Sequence, residues 1–111
     1  MTSNKLGGLL GMCRRCGRLV TGFDAVVALC GTSALLMLAD DASPRTVKEL
    51  LFRADRHPVY RLPLTKDEIA HAVGSQKPIA CLAVEDRGFA DAIRPLCHPF
   101  HDLEEESHYD D

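Results

Sequence analysis

Two uninterrupted apolar runs place the strongest constraint on how this chain can fold. They occupy residues 34–39 and residues 79–84, and each is bounded by polar or turn-forming residues. Runs of this length without polar alternation are typical of β-strands that are buried on both faces. We therefore predict that both segments are buried strands of one sheet.

Helical patterns alternate with these strands. Ser43 followed by Pro44 is typical of a helix start, and Thr65 with Glu68 has the spacing of a capping box. Two segments carry apolar stripes at the i, i+3, i+4, i+7 spacing of an amphipathic helix, Leu6, Leu9, Leu10 and Cys13 in the first and Val47, Leu50, Leu51 and Ala54 in the second. Strands that alternate with helices predict an α/β protein, a three-layer α/β/α sandwich around a small, mostly parallel or mixed sheet.

The remaining segments complete the alternation. They comprise short strands over residues 18–21 and 58–62, a helix over residues 23–30 closed by Gly31, and a last helix from Asp86 to near Pro95. A length of 111 residues fits one hydrophobic core. We expect a single domain over residues 1–97 and a disordered tail over residues 98–111.

Charge is divided unevenly along the chain. Residues 102–111 carry six acidic residues and no lysine or arginine, so residues 1–101 carry 13 lysines and arginines and 16 − 6 = 10 acidic residues, a net charge of +3 with neutral histidines. This mildly basic body is compatible with a nucleic-acid partner but does not require one. One hypothesis is that the acidic tail competes for the basic surface. No apolar run approaches the roughly 20 residues of a membrane span, and the N-terminus lacks a signal-peptide layout, so we expect a cytoplasmic protein without a membrane partner.

The turn at Gly22 is the first candidate binding site. It stands between the strand at 18–21 and the helix that begins at Phe23, where free N–H groups and the helix dipole favour anions such as phosphate. Glycine before a helix is also common in ordinary loops. The position alone leaves both interpretations open.

Cys13 and Cys16 form a Cys-x-x-Cys pair flanked by arginines, which would favour a thiolate. The simpler interpretation is that the i, i+3 spacing places two small residues on one packed helix face. A zinc site with Cys97, His98 and His101 is a further alternative, but a second closely spaced ligand pair is missing. We expect reduced thiols, core positions for Cys30 and Cys81, and neither a metal nor a cofactor.

No catalytic constellation is evident in the sequence. The chain has no phosphate loop, no dinucleotide fingerprint and no nucleophile elbow. The acidic pairs at residues 40–41 and 85–86 are expected to cap the helices that follow them, and His57 and His71 are expected to be exposed. We therefore expect a protein that is not an enzyme and has no small-molecule substrate.

Three stretches in colinear order resemble one known family. Residues 9–22, with the basic pair, Gly17 and Gly22, resemble the opening of the L-seven-Ae type ribosomal proteins, most closely the small bacterial YlxQ-like branch. Residues 34–43 are similar to the family's hydrophobic strand and to the Ser-containing helix start that follows it. Residues 84–93 are similar to the end of the branch's last strand and to its last helix. The resemblance covers about residues 5–96. It implies an α/β/α sandwich with a small four-stranded mixed sheet and binding of RNA, typically at a kink-turn.

The resemblance also implies site residues. Gly22 matches the family's glycine, whereas Asp24, Ala25 and Ala28 stand where the family has Asn, Glu and Lys. A carboxylate only accepts hydrogen bonds, and an alanine side chain neither donates nor accepts them. The arginines would then supply most of the attraction to phosphate. The residues implied as RNA-binding lie at the turn and at a second loop over residues 84–88, namely Arg14, Arg15, Arg18, Thr21, Gly22, Phe23, Asp24, Arg87 and Gly88.

Two functions remain open at this point. The leading hypothesis is an RNA-binding ribosomal or ribosome-associated protein that recognises a kink-turn or another structured ribosomal or regulatory RNA, with ribosomal proteins as further partners. The alternative is a protein-interaction module that has kept the fold and lost the RNA site, which the residues at positions 24, 25 and 28 would suggest.

Overall fold

A computed structural model describes residues 2–100. The acidic run over residues 102–111, for which disorder was expected, lies outside the described residues. Within them the elements follow one another as α1 (Thr2–Arg15), β1 (Leu19–Thr21), α2 (Phe23–Ala28), β2 (Leu35–Leu38), α3 (Pro44–Ala54), β3 (Val59–Arg61), α4 (Lys66–Val73), β4 (Cys81–Val84), α5 (Arg87–Ile93), a 3-10 turn (Arg94–Leu96) and β5 (His98–Pro99). None of the helices in this part of the chain is both long enough and apolar enough to cross a membrane.

The strands form one mixed sheet in the order β1-β4-β2-β3-β5. The central strand β2 runs parallel to β3 and antiparallel to β4, so that Leu36 lies opposite Val59 on one side and Ala83 on the other. β1 pairs antiparallel with β4, and β5 pairs antiparallel with β3. Every residue of β2 and β4 is buried, which confirms the prediction from the two apolar runs.

Helices cover both faces of the sheet and make three layers. One core packs α1, α4 and α5 against the face that contains Leu35, Met37 and Leu82. The second core packs α2 and α3 against the opposite face, which contains Leu36 and Leu38. Neighbouring strand residues enter different cores because successive strand side chains point to opposite faces. The expected α/β/α sandwich is confirmed.

The strand count differs from the expected four. The fifth strand, β5, is formed by residues 98–99, which the sequence assigned to the tail. Its pairing is fixed by tertiary contacts: His98 lies opposite Arg61, and Pro99 lies opposite Tyr60. Proline can occupy this strand because β5 is at the edge of the sheet, where a missing N–H breaks no inner ladder.

Helix starts follow the sequence closely. Ser43 Oγ accepts the N–H of Thr46, and Thr65 and Glu68 make both hydrogen bonds of a capping box. Asp86 caps α5 as expected, through Phe89 N–H. The other acidic pair behaves differently. Asp41 does not cap the next helix, α3, but accepts the N–H of Lys66 at the start of α4, 25 residues further along the chain.

The end of α2 was predicted wrongly. The helix ends at Ala28 rather than Cys30, and residues 29–32 form successive turns. Gly31 does not adopt the left-handed conformation of a helix-terminating glycine. Within residues 2–100, the glycines with positive φ are Gly17, Gly22 and Gly74. Cys30 still contributes to the core, as does Cys81. Turns over residues 29–32 therefore carry the chain from α2 to the start of β2.

Candidate functional site

The turn between β1 and α2 is built around Gly22. This residue has φ 98° and ψ 143°, a combination that is essentially restricted to glycine. Its N–H donates to the carbonyl of Cys81 at 3.1 Å, and its own carbonyl accepts the N–H of Val26 at 3.0 Å. No side chain caps α2. The turn is therefore held by backbone contacts to β4 and to the helix that it starts.

The loop before β4 lines an open groove together with this turn. The groove has a volume of about 420 Å³ and is lined by Thr21, Gly22 and Phe23 of the turn, by Thr46 of α3, and by Ser75 and residues 77–81. The loop has a fixed shape, since Ser75 Oγ donates to the carbonyl of Lys77 at 2.9 Å and accepts its N–H at 3.1 Å. We call this feature, lined by residues 21–23, Thr46, Ser75 and residues 77–81, the Gly22 groove.

Lys77 gives the Gly22 groove its positive charge. Among the described residues that line it, Lys77 is the one charged side chain, and it is exposed. Asp24, Ala25 and Ala28 are also exposed on α2. Ala28, where the sequence resemblance implies a lysine, provides no cation, and the loop before β4 supplies one from a different element.

Sequence reasoning missed this loop. The Gly-Ser and Lys-Pro steps at residues 74–78 mark a turn before a buried strand, and Gly74 does adopt the left-handed conformation, with φ 75°. That signal identifies a loop but does not indicate which other segment the loop contacts in the folded chain. The pairing of β1 with β4 brings the loop against Gly22, because Thr21 lies opposite Leu82 at the start of β4.

The other predicted site residues lie at the opposite end of β1. Arg18 is joined there to the exit of β4, since Glu85 N–H donates to its carbonyl at 3.1 Å. Four strand steps of about 3.3 Å separate Arg18 from Gly22 by about 13 Å. Arg14 and Arg15 end α1 just before Arg18. Arg87 and Gly88 start α5 after β4.

The predicted residues therefore form two groups. Thr21, Gly22, Phe23 and Asp24 lie together at the groove end of β1. The arginines and Gly88 lie at the far end, and all five of these residues are exposed: Arg14, Arg15, Arg18, Arg87 and Gly88. The second predicted loop, at residues 84–88, lies at the far end, whereas Ser75, Lys77 and Pro78 line the groove at the Gly22 turn.

The two thiols of the Cys-x-x-Cys pair occupy different environments. Cys13 is fully buried against the sheet, whereas Cys16 is exposed after the end of α1, so the two do not share a packed face. Burial raises the pKa of Cys13 to about 11, and the carboxylates of Asp86 and Glu85 add to this effect. The flanking arginines therefore do not produce a low-pKa thiolate at Cys13. His57 and His71 are exposed, as expected.

Comparison with known proteins defines the class of fold. No protein-family model matches the chain, and no curated protein matches it in sequence. Two solved structures are similar over most of their length. A Bacillus halodurans protein of unknown function is 29% identical, with a TM-score of 0.73, 83% of this chain covered and 95% of the other. The Giardia lamblia 15.5kD RNA binding protein is 17% identical, with a TM-score of 0.68 and coverage of 86% and 89%. The chain has the α/β/α fold of the L-seven-Ae type proteins.

Proposed function

We propose that this chain is an RNA-binding protein and that it binds structured RNA in the Gly22 groove. The observation that carries the proposal is the position of Lys77, which lines the same open groove as the Gly22 turn. A lysine beside exposed backbone provides a point charge for phosphate, the group that dominates affinity for RNA. The resemblance to a Giardia protein described as RNA binding supports the same class of ligand.

The groups around the groove suit an RNA bend better than a regular duplex. Lys77 would neutralise a phosphate, and the Asp24 carboxylate can accept hydrogen bonds from the amino and imino groups of a guanine. Phe23 is half-buried at the rim, where an unstacked base can contact its ring. Base edges and faces become accessible in this way where RNA strands are bent or unpaired. The RNA would thus be recognised at a bend or bulge.

The cellular role and the kind of RNA are inferred from the sequence resemblance. We propose a cytoplasmic, ribosomal or ribosome-associated role, with a kink-turn or another structured ribosomal or regulatory RNA as the ligand and ribosomal proteins as neighbours. Asp24 stands in place of an asparagine that both donates and accepts, so selection for the tandem G·A pairs of a kink-turn would be weaker than in relatives that keep the asparagine.

A protein-interaction module is the second candidate function. Its support is the exposed face of α2, where Ala25 and Ala28 present small apolar side chains at positions that the family fills with polar ones. Small residues allow a partner to approach a helix closely. On this alternative the groove would bind a polypeptide and show no affinity for RNA.

A titration of labelled RNA separates these candidates. The full chain is titrated into a kink-turn RNA, a bulged hairpin and a plain duplex of equal length, each at two salt concentrations. Binding that is tighter for the bent RNAs and weakens as salt rises supports the proposal, because phosphate contacts release counterions. Equal affinity for all three RNAs contradicts recognition of a bend. No binding at low salt contradicts RNA binding and favours the interaction module.

A further inference from the structure

The chain leaves the described part of the structure at a defined place, beside α3. Phe100 N–H donates to the carbonyl of Val59 at 2.9 Å, and its ring packs on the core that α2 and α3 form with the sheet. The Arg61 guanidinium lies over this ring, 4.7 Å from its centre. Phe100 is thus held on both sides, and its backbone partner Val59 lies five residues after the end of α3 at Ala54.

The outward face of α3 is basic and carries an unusually exposed aromatic ring. Phe52 is 74% exposed, although phenylalanine is normally among the more buried residue types. The exposed residues over positions 45–56 comprise four basic and two acidic side chains, a net charge of +2: Arg45, Lys48, Arg53 and Arg56 against Glu49 and Asp55. We call this face, from Arg45 to Arg56 and centred on Phe52, the Phe52 surface.

We propose that the Phe52 surface is the docking site of the chain's own acidic C-terminal segment, residues 101–111. The segment carries six acidic residues and no lysine or arginine, which complements the positive charge of the surface. It also contains Leu103 and Tyr109, whose side chains can cover the exposed ring of Phe52. The contact would combine salt-sensitive attraction with burial of apolar area.

The dimensions allow this contact. Eleven extended residues span about 36 Å, whereas the eleven residues of α3 extend over about 16 Å. Short flexible connections give effective concentrations in the millimolar range, so individually weak charge contacts suffice for an intramolecular complex.

The topology favours the Phe52 surface over the other basic surface of the chain. Arg18 lies at the start of the edge strand β1 and Arg87 follows β4, the strand beside it, whereas the segment departs from β5 at the opposite edge. Four strand intervals of about 4.8 Å put roughly 19 Å of sheet between the two edges. Arg53 and Arg56, by contrast, belong to the end of α3 and the turn that leads into β3, the strand to which β5 is paired.

Amide NMR spectra of the full-length protein provide the test. In the Arg53→Gln/Arg56→Gln variant, and separately in Phe52→Ala, we expect the amide resonances of residues 102–111 to shift relative to the parent chain. All substituted side chains are exposed, so the fold is expected to persist, and unchanged resonances in the core strands verify this. The matched control is Arg18→Gln/Arg87→Gln, which removes the same charge at the far edge and is expected to leave the tail resonances in place.

The reciprocal change uses the tail itself. Glu104→Gln/Glu105→Gln/Glu106→Gln is expected to shift the amide resonances of residues 48–56 relative to the parent chain. In about 1 M salt this difference between the variant and the parent chain is expected to disappear, since the screening length falls to about 3 Å. Tail resonances that respond only to the Arg18→Gln/Arg87→Gln control would place the segment at the β1 edge and overturn the proposal. Tail resonances that respond to neither pair would show that no docking occurs.

Discussion

The backbone N–H of Gly22 donates a 3.1 Å hydrogen bond to the carbonyl oxygen of Cys81. This single contact joins the turn after β1 to the first residue of β4, although the two residues are 59 positions apart in the sequence. The segment before Cys81 is thereby brought beside the turn, and Lys77 comes to lie in the Gly22 groove.

Lys77→Ala is expected to weaken RNA binding by about 1 kcal/mol, about fivefold in Kd, because one charge contact to phosphate is lost. The dependence of log Kd on log salt concentration should fall by about one unit of slope. The measurement is an RNA titration at several salt concentrations. Lys5→Ala is the matched control, since Lys5 is exposed on α1 and does not line the groove. Equal losses in both variants would mean that only overall charge matters.

Arg18→Ala is expected to weaken RNA binding by about 1 kcal/mol, provided that the RNA is long enough to follow β1. Arg18 lies about 13 Å from Gly22, so a stem that extends less than about 13 Å beyond the bend would not reach it. We therefore expect the loss with a long-stemmed RNA and not with a short-stemmed one. An unchanged affinity for the long RNA removes Arg18 from the site.

Gly22→Ala and Gly8→Ala are expected to change stability in opposite directions. A Cβ at either position meets no atom within 4 Å, so the difference between them is conformational. Gly22 has φ 98°, where a side chain costs about 1–3 kcal/mol of folding free energy. Gly8 is helical and exposed, and alanine there should stabilise by about 0.5–1 kcal/mol. Urea denaturation measures both. Equal effects in the two variants would contradict a strained turn.

The thiols are expected to differ sharply in reactivity. Cys16 is exposed, whereas Cys13 is buried and its pKa is raised to about 11. At pH 8 a thiol-specific alkylating reagent should therefore modify Cys16 first in the native protein, because the thiolate is the reactive form. Mass spectrometry after a short exposure identifies the modified residue. Modification of Cys13 at a comparable rate would show that α1 opens readily.

Alkaline pH is expected to destabilise the fold. Burial raises the pKa of Cys13 and Cys81 to about 11 and that of Cys97 to about 12, from an ordinary value of 9.0. The unfolded thiols release protons first, so this contribution to stability is intact below pH 9 and is lost as pH rises through 11.

Urea midpoints measured at pH 7.5 and pH 10.5 in the presence of a reductant should therefore decrease at the higher pH. Cys13→Ala should reduce the decrease, while Cys16→Ala, which changes an exposed residue, serves as the control and should leave it unaltered. An identical decrease in all three proteins would attribute the alkaline loss to other titrating groups.

Much of the fold could be predicted because its signals are local. The buried runs became β2 and β4, and the caps at Ser43, Thr65 and Asp86 formed as expected. Errors arose where a distant contact replaced the local one. Asp41 lies three residues before α3 yet binds the start of α4, and residues 98–99 pair with β3 although their composition resembles a tail.

The candidate site could be predicted only in part for the same reason. The amino-acid sequence indicated a glycine turn before α2, because glycine ahead of a helix start is a local signal, and it left open whether that turn is a binding site. The tertiary structure alone decided what lies beside that turn. Antiparallel pairing of β1 with β4 brought Lys77 into the same groove as Gly22 and put Arg18 and Arg87 at the far end of the same strands. Sheet register depends on the packing of both cores at once, and no short stretch of sequence contains that information.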